Sequence, residues 1–128
     1  MLNVFVSIRC NGKTYKEMKY QQERIFNDFI NQNAKYAQDI QLIDSLCKDY
    51  IPGESNRIYY LGKSIESMSK ADIVLMPMDY VWSKGCRCEK SVAEIYGIPM
   101  KSYIHTDNNT YFLDGFIETL MIGGVDKC

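Results

Sequence analysis

The sequence predicts an α/β domain: a parallel sheet of four to five strands in the order 2-1-3-4, with helices on both faces. Two observations carry this. Short apolar runs suited to buried strands alternate with segments whose apolar residues recur at helical spacing. One run, Ile73-Val74-Leu75-Met76, is apolar throughout, as a strand covered on both faces must be. A chain of 128 residues has the length of a single domain, here 1–128, and can bury a core without disulfide or metal staples.

The elements follow in order. Residues 2–7, rich in Val and Phe, form the first strand, and Arg9 to Thr14 form a loop around Asn11-Gly12. From Tyr15 to Gln32 the apolar residues Met18, Ile25, Phe26, Phe29 and Ile30 mark an amphipathic helix interrupted by Gln22. Ile40, Leu42 and Ile43 predict a short second strand. Pro52 to Asn56 is a loop and helix entry, after which Ile58, Leu61, Ile65 and Met68 mark a second helix ending near Lys70. Asp72 to Met78 is the third strand, and Gly85 to Tyr96 is a third helix stopped by Gly97. Ile98 to Ile104 is a fourth strand. Phe112, Phe116, Ile117, Leu120 and Met121 predict a final helix.

Composition narrows the function. Lys plus Arg total 15 against 16 for Asp plus Glu, with no basic block, so a nucleic-acid polymer is not the expected partner. No apolar run approaches a membrane span, and the N-terminal run lacks the basic flank and cleavage site of a signal peptide. Five cysteines at irregular spacing, Cys10, Cys47, Cys86, Cys88 and Cys128, read as reduced thiols of a cytoplasmic protein. Cys86-Arg87-Cys88 has no matching pair elsewhere, and the single histidine, His105, reads as a loop residue, so no metal site is expected.

In a sheet of order 2-1-3-4, ligands bind outside the carboxyl ends of the strands, in the crevice between strands one and three. The loops meeting there are Ser7 to Thr14 and Asp79 to Gly85. Arg9 is either a bidentate phosphate contact or a solvated loop residue. Gly12 allows close backbone approach, or simply makes a turn. Ser83 and Gly85 start the third helix, where a hydroxyl and bare N–H groups hold an anion; Ser83 is equally a helix cap, and the two roles use the same groups. Tyr80 and Trp82 either stack on a base or cover the sheet edge. Glu89, read as a first-turn carboxylate kept ionised by the helix dipole, is a candidate nucleophile or a surface residue.

The pattern Trp82-Ser83-x-Gly85-Cys86-x-x-Glu89-x-x-x-Ala93-x-x-x-Gly97-Ile98-Pro99 resembles the signature of the nucleoside 2-deoxyribosyltransferase superfamily, which includes 2′-deoxynucleoside 5′-phosphate N-hydrolases and phage-borne relatives. Ser7-Ile8-Arg9 resembles the opening of the N-hydrolases, and Ala71-Asp72-Ile73-Val74 the superfamily's helix-to-strand step. The resemblance spans roughly residues 2 to 104. It implies a flavodoxin- or Rossmann-like fold and a homodimer or higher homo-oligomer. It also implies a small nucleoside or nucleotide as ligand, and a reaction without metal or organic cofactor. Glu89 would be the nucleophile at the anomeric carbon, with Ser83 and Gly85 holding the 5′ end. Two positions depart from the pattern. Ser64 stands where the superfamily carries an aspartate acid, and Phe5 is the residue nearest the place of its strand-one tyrosine. Glu66 and Asp79 are the other carboxylates available to serve as the acid.

Three functions follow as expectations: cleavage or exchange of an N-glycosidic bond, binding of a nucleotide without consuming it, and a small interaction protein with an empty crevice. Retained Glu89 favours the first; Ser64 and Phe5 favour the second.

Overall fold

The computed structural model describes residues 1–10, 12–50, 56–106 and 109–113. Within them, five strands form one sheet in the order β2-β1-β3-β4-β5. The strands are β1 (Leu2–Val6), β2 (Ile40–Leu42), β3 (Ile73–Pro77), β4 (Met100–His105) and β5 (Thr110–Phe112). The first four run parallel, and β5 pairs antiparallel with β4, so the sheet is mixed at one edge. Between the strands lie α1 (Tyr15–Gln32), α2 (Arg57–Ser67) and α3 (Lys84–Ile95).

Each helix boundary has a local cause. Thr14 caps α1: its hydroxyl accepts from the Glu17 N–H, and the Glu17 carboxylate accepts from the Thr14 N–H, a reciprocal capping box. Ser83 caps α3 by accepting from the Cys86 N–H. At the other end of α3 the Ile98 N–H donates to the Ala93 carbonyl and the Gly97 N–H to the Glu94 carbonyl. This closure needs a left-handed residue, and Gly97 supplies it with φ of 68°. Asp72 anchors the entry to β3 by accepting from the Asn3 N–H at 2.7 Å.

The sheet separates two apolar layers, and period-two alternation decides which side each strand residue serves. Val4, Val6, Ile73 and Leu75 pack with Met18, Ile25 and Phe29 of α1. Phe5, Val74 and Met76 face the other way, onto Met68, Ala71 and the α3 residues Cys86 and Ala93. All five residues of β3 are buried, the outcome its apolar run predicts for a central strand. Leu75 has no exposed surface. Leu75→Ala is therefore expected to cost about 3 kcal/mol of stability, read as a lowered urea midpoint at unchanged slope.

Several expectations change. Phe112 belongs to a strand, not to a final helix: the Thr110–Phe112 segment pairs with Tyr103, Ile104 and His105, and the Phe112 ring meets Phe29 edge-on with centroids 5.4 Å apart. Phe116, Ile117, Leu120 and Met121 lie outside the described residues, as do Asn11, Pro52 to Ser55 and Cys128. His105 is the last residue of β4 and not a loop residue; its Nδ1 lies 2.8 Å from the Thr110 hydroxyl. Gln22 is not a break in the apolar face of α1. It is fully buried on that face, and its amide donates to the Ser45 hydroxyl at 2.9 Å. No described helix is long and apolar enough to cross a membrane.

Candidate functional site

The sheet order puts β1 between β2 and β3, with the chain leaving β1 on one side of the sheet and leaving β3 on the other. The two exit segments therefore meet at the carboxyl ends of these strands. They meet through side chains at two depths. At the surface the Arg9 guanidinium pairs with the Asp79 carboxylate through Nη1 and Oδ2. Deeper, Ser7 and Glu89 join β1 to α3: the Ser7 hydroxyl donates to Glu89 Oε1 at 2.7 Å.

Glu89 is the centre of the deeper cluster. Its second oxygen, Oε2, accepts from the Ser64 hydroxyl of α2 at 2.5 Å. Each oxygen of one carboxylate is thus held by a serine from a different element. Ser7 is itself fixed by backbone bonds: its N–H donates to the Leu75 carbonyl at 2.9 Å, and its carbonyl accepts from the Tyr103 hydroxyl at 2.6 Å. Its hydroxyl also lies 3.2 Å from Cys86 Sγ. Ser64 is braced in turn, since the Ser67 hydroxyl donates to its carbonyl.

The electrostatics of Glu89 differ from expectation. α3 starts at Lys84, which puts Glu89 in the second turn, beyond the reach of the helix dipole. Glu89 is 6% exposed. Burial raises its pKa above the ordinary carboxylate value, and the hydrogen bonds from Ser64 and Ser7 pull the other way without cancelling the rise. Burial likewise pushes the nearby Cys10 thiol up to about 11, with the Glu89 charge adding to the rise. That thiol is protonated at neutral pH and is not an activated nucleophile.

Gly12 adopts φ of 69° with open space around it, the conformation for which glycine is suited. Ser83 is buried, and its hydroxyl is engaged as the α3 cap. Gly85 lies in the first turn beside Leu61, and the N–H groups of Lys84 and Gly85 are among those a helix cannot satisfy internally. Tyr80 packs against the apolar layer on the α3 side, with Lys90 Nζ 4.9 Å from its ring centroid. Trp82 is 73% exposed in a short 3₁₀ turn, near exposed Met78 and Val81. Phe5 is fully buried among apolar neighbours. Of the alternative acids, Asp79 is paired with Arg9, and Glu66 lies at the surface beside Lys63.

A cleft of about 500 Å³ opens at the ends of β1, β3 and β4. Arg9 is the predicted residue that lines it, joined by Lys13, Gln21, Asp79, Tyr103 and His105. Sequence reasoning missed Lys13, Gln21, Tyr103 and His105. For Tyr103 and His105 the signal lay in the strand order, since β4 neighbours β3 and its carboxyl end also borders the crevice; Lys13 belongs to the Ser7 to Thr14 loop that the same order brings there, and Gln21 to α1 just after it. Tyr103 links the two regions, lining the cleft while its hydroxyl holds the Ser7 carbonyl behind it.

No protein-family model, curated protein or solved structure matches the chain. Its own side chains supply the chemistry: a buried carboxylate gripped by two hydroxyls, and a cleft of mixed lining, with Pro77, Met78 and Ile104 among the charged and polar groups, at the switch point of a mostly parallel sheet.

Proposed function

We propose that the chain binds a deoxynucleoside or its 5′-phosphate and cleaves or exchanges its N-glycosidic bond through Glu89, as a flavodoxin-like protein of the nucleoside deoxyribosyltransferase type. The observation that carries this reading is the grip on Glu89: Ser7 on one oxygen and Ser64 on the other, at the carboxyl end of β1. Only the ionised carboxylate attacks; burial raises the pKa at which it ionises, while the two serine hydroxyls favour the charged form and orient its oxygens, so base release requires a pH above that raised value. A surface glutamate with a merely structural role would need neither the burial nor two hydroxyl donors.

In the proposed reaction a Glu89 oxygen attacks the anomeric carbon. The bond from that carbon to the base nitrogen breaks, and its electron pair leaves with the base. Water or a second base then opens the glycosyl ester, restoring the carboxylate with retained stereochemistry. Ser83, the first-turn amides at Gly85, and Arg9 supply donors for the 5′ end. Exposed Met78, Val81 and Trp82 beside this turn are the kind of apolar surface that a neighbouring copy would cover in a homodimer.

One observation favours a second reading, in which the nucleotide is held intact. The residue against Glu89 Oε2 is a serine, whose hydroxyl cannot protonate a departing base at neutral pH. A panel of deoxynucleosides, ribonucleosides and their 5′-phosphates, followed by chromatography of free base, separates the two. Base release from a deoxynucleoside substrate supports cleavage by Glu89. Binding with every ligand recovered intact supports the holding module and overturns the enzyme reading.

A further inference from the structure

The backbone ladder between β1 and β3 lacks one donor, and the gap falls at Ser7. Val6 lies opposite Leu75 in this parallel pair, so Ser7 lies opposite Met76. In a parallel ladder such a residue donates to the neighbour before its opposite number and accepts from the neighbour after it. Ser7 makes the first bond, its N–H donating to the Leu75 carbonyl at 2.9 Å. The second bond needs an N–H at position 77, and Pro77 has none. Ser7 is 1% exposed, and a buried carbonyl left without a donor is costly. The Tyr103 hydroxyl takes the place of the missing donor, bonding to the Ser7 carbonyl at 2.6 Å. Tyr103 lies opposite Pro77 in the β3–β4 pair, so its phenol reaches past the proline to β1. Burial lifts the Tyr103 pKa well above that of a free phenol, which keeps the proton on the hydroxyl.

This exchange of a backbone donor for a side chain bears on the nucleophile. The bond to the carbonyl fixes the residue whose hydroxyl donates to Glu89 Oε1 at 2.7 Å. We propose that Tyr103 is a positioning residue for Glu89, acting through Ser7 in place of the backbone donor that Pro77 lacks. The inference rests on the reading of Glu89 as nucleophile. Tyr103 also lines the cleft, while its hydroxyl is spent on Ser7. Loss of that hydroxyl alone therefore changes the rate and not the fit of the ligand.

Two readouts on the full chain test this: base release from a deoxynucleoside 5′-phosphate, and titration of the Glu89 carboxyl by carbon-13 NMR. Tyr103→Phe keeps the ring and is expected to lower kcat about tenfold with KM unchanged. A loosened Ser7 favours the charged carboxylate less, so the Glu89 pKa rises further in this variant. Adding Pro77→Ala to Tyr103→Phe returns an N–H to the ladder and brings both readouts back towards wild type. In a Ser7→Ala background Tyr103→Phe adds no further loss, because the two residues act in series. Circular dichroism confirms that each variant is folded. A wild type that releases no base overturns the cleavage reading, and the Glu89 titration then decides the role of Tyr103 by itself. An unchanged Glu89 titration in Tyr103→Phe, no rescue by Pro77→Ala, or equal effects of Tyr103→Phe with and without the Ser7 hydroxyl overturns the proposal.

Discussion

Glu89→Gln is expected to remove base release, by about 10³-fold or more, while raising the stability of the folded chain at pH 8. The loss follows because an amide cannot form the glycosyl ester. The gain follows from the sign of the carboxyl's shift. Burial raises the Glu89 pKa in the folded chain, so the fold holds this proton more tightly than the unfolded chain does. As pH rises from the ordinary carboxylate value through the raised one, unfolding releases the proton, and stability falls across that window. Above it the fold carries a buried charge whose desolvation the serine hydroxyls do not fully offset. Glutamine fills the same space without that charge, and its carbonyl still accepts from Ser7 or Ser64. A gain of ~1 kcal/mol would raise the melting temperature by roughly 3–5 °C in a chain of this size. The difference from wild type should shrink towards zero at pH 4. Melting curves at both pH values check this, and a variant less stable than wild type at pH 8 would assign Glu89 a structural role instead.

Ser64→Asp is expected to act in the opposite direction and raise the rate of base release by about 10²-fold. The Ser64 hydroxyl already touches Glu89 Oε2, so a carboxyl introduced there shares the site with Glu89. Two adjacent buried carboxylates cannot both ionise cheaply, and the pair retains one proton to a higher pH than either alone. That proton is the one a departing base requires. Activity of the variant should fall as pH rises through the upper titration of the pair, giving a more acidic optimum than wild type. Single-turnover rates across pH measure the effect. An unchanged rate in a folded variant would mean that base departure is not limited by proton supply.

The legible parts of the fold are those set by local pattern. α1 matches its expected span because apolar spacing and a polar opposite face both mark it. β3 is legible because a central parallel strand is apolar on both faces. β5 is not legible: Thr110-Tyr111-Phe112 is short, and its stabilisation comes from pairing with β4 and from the contact of Phe112 with Phe29. Spacing alone joined Phe112 to the apolar residues after it. The site divides in the same way. Strand order brought Ser7, Arg9 and the start of α3 to one crevice, because topology follows from the alternation of elements. The Ser64 contact was not readable from spacing, since α2 and α3 approach each other only through packing. The direction of the Glu89 shift reversed for a related reason. Position along a helix can be read from sequence to within a turn, whereas burial of the carboxyl depends on what α2 and β1 place over it.

Covalent trapping tests the central claim most directly. A 2′-fluoro-2′-deoxynucleoside 5′-phosphate slows hydrolysis of a glycosyl ester by destabilising positive charge at the anomeric carbon. After incubation with it, intact-mass and peptide mass spectrometry should show one added fluorosugar phosphate, carried on the peptide containing Glu89 and absent from Glu89→Gln. Quantitative recovery of the intact analogue with no added mass, or an adduct on any other residue, would contradict the account.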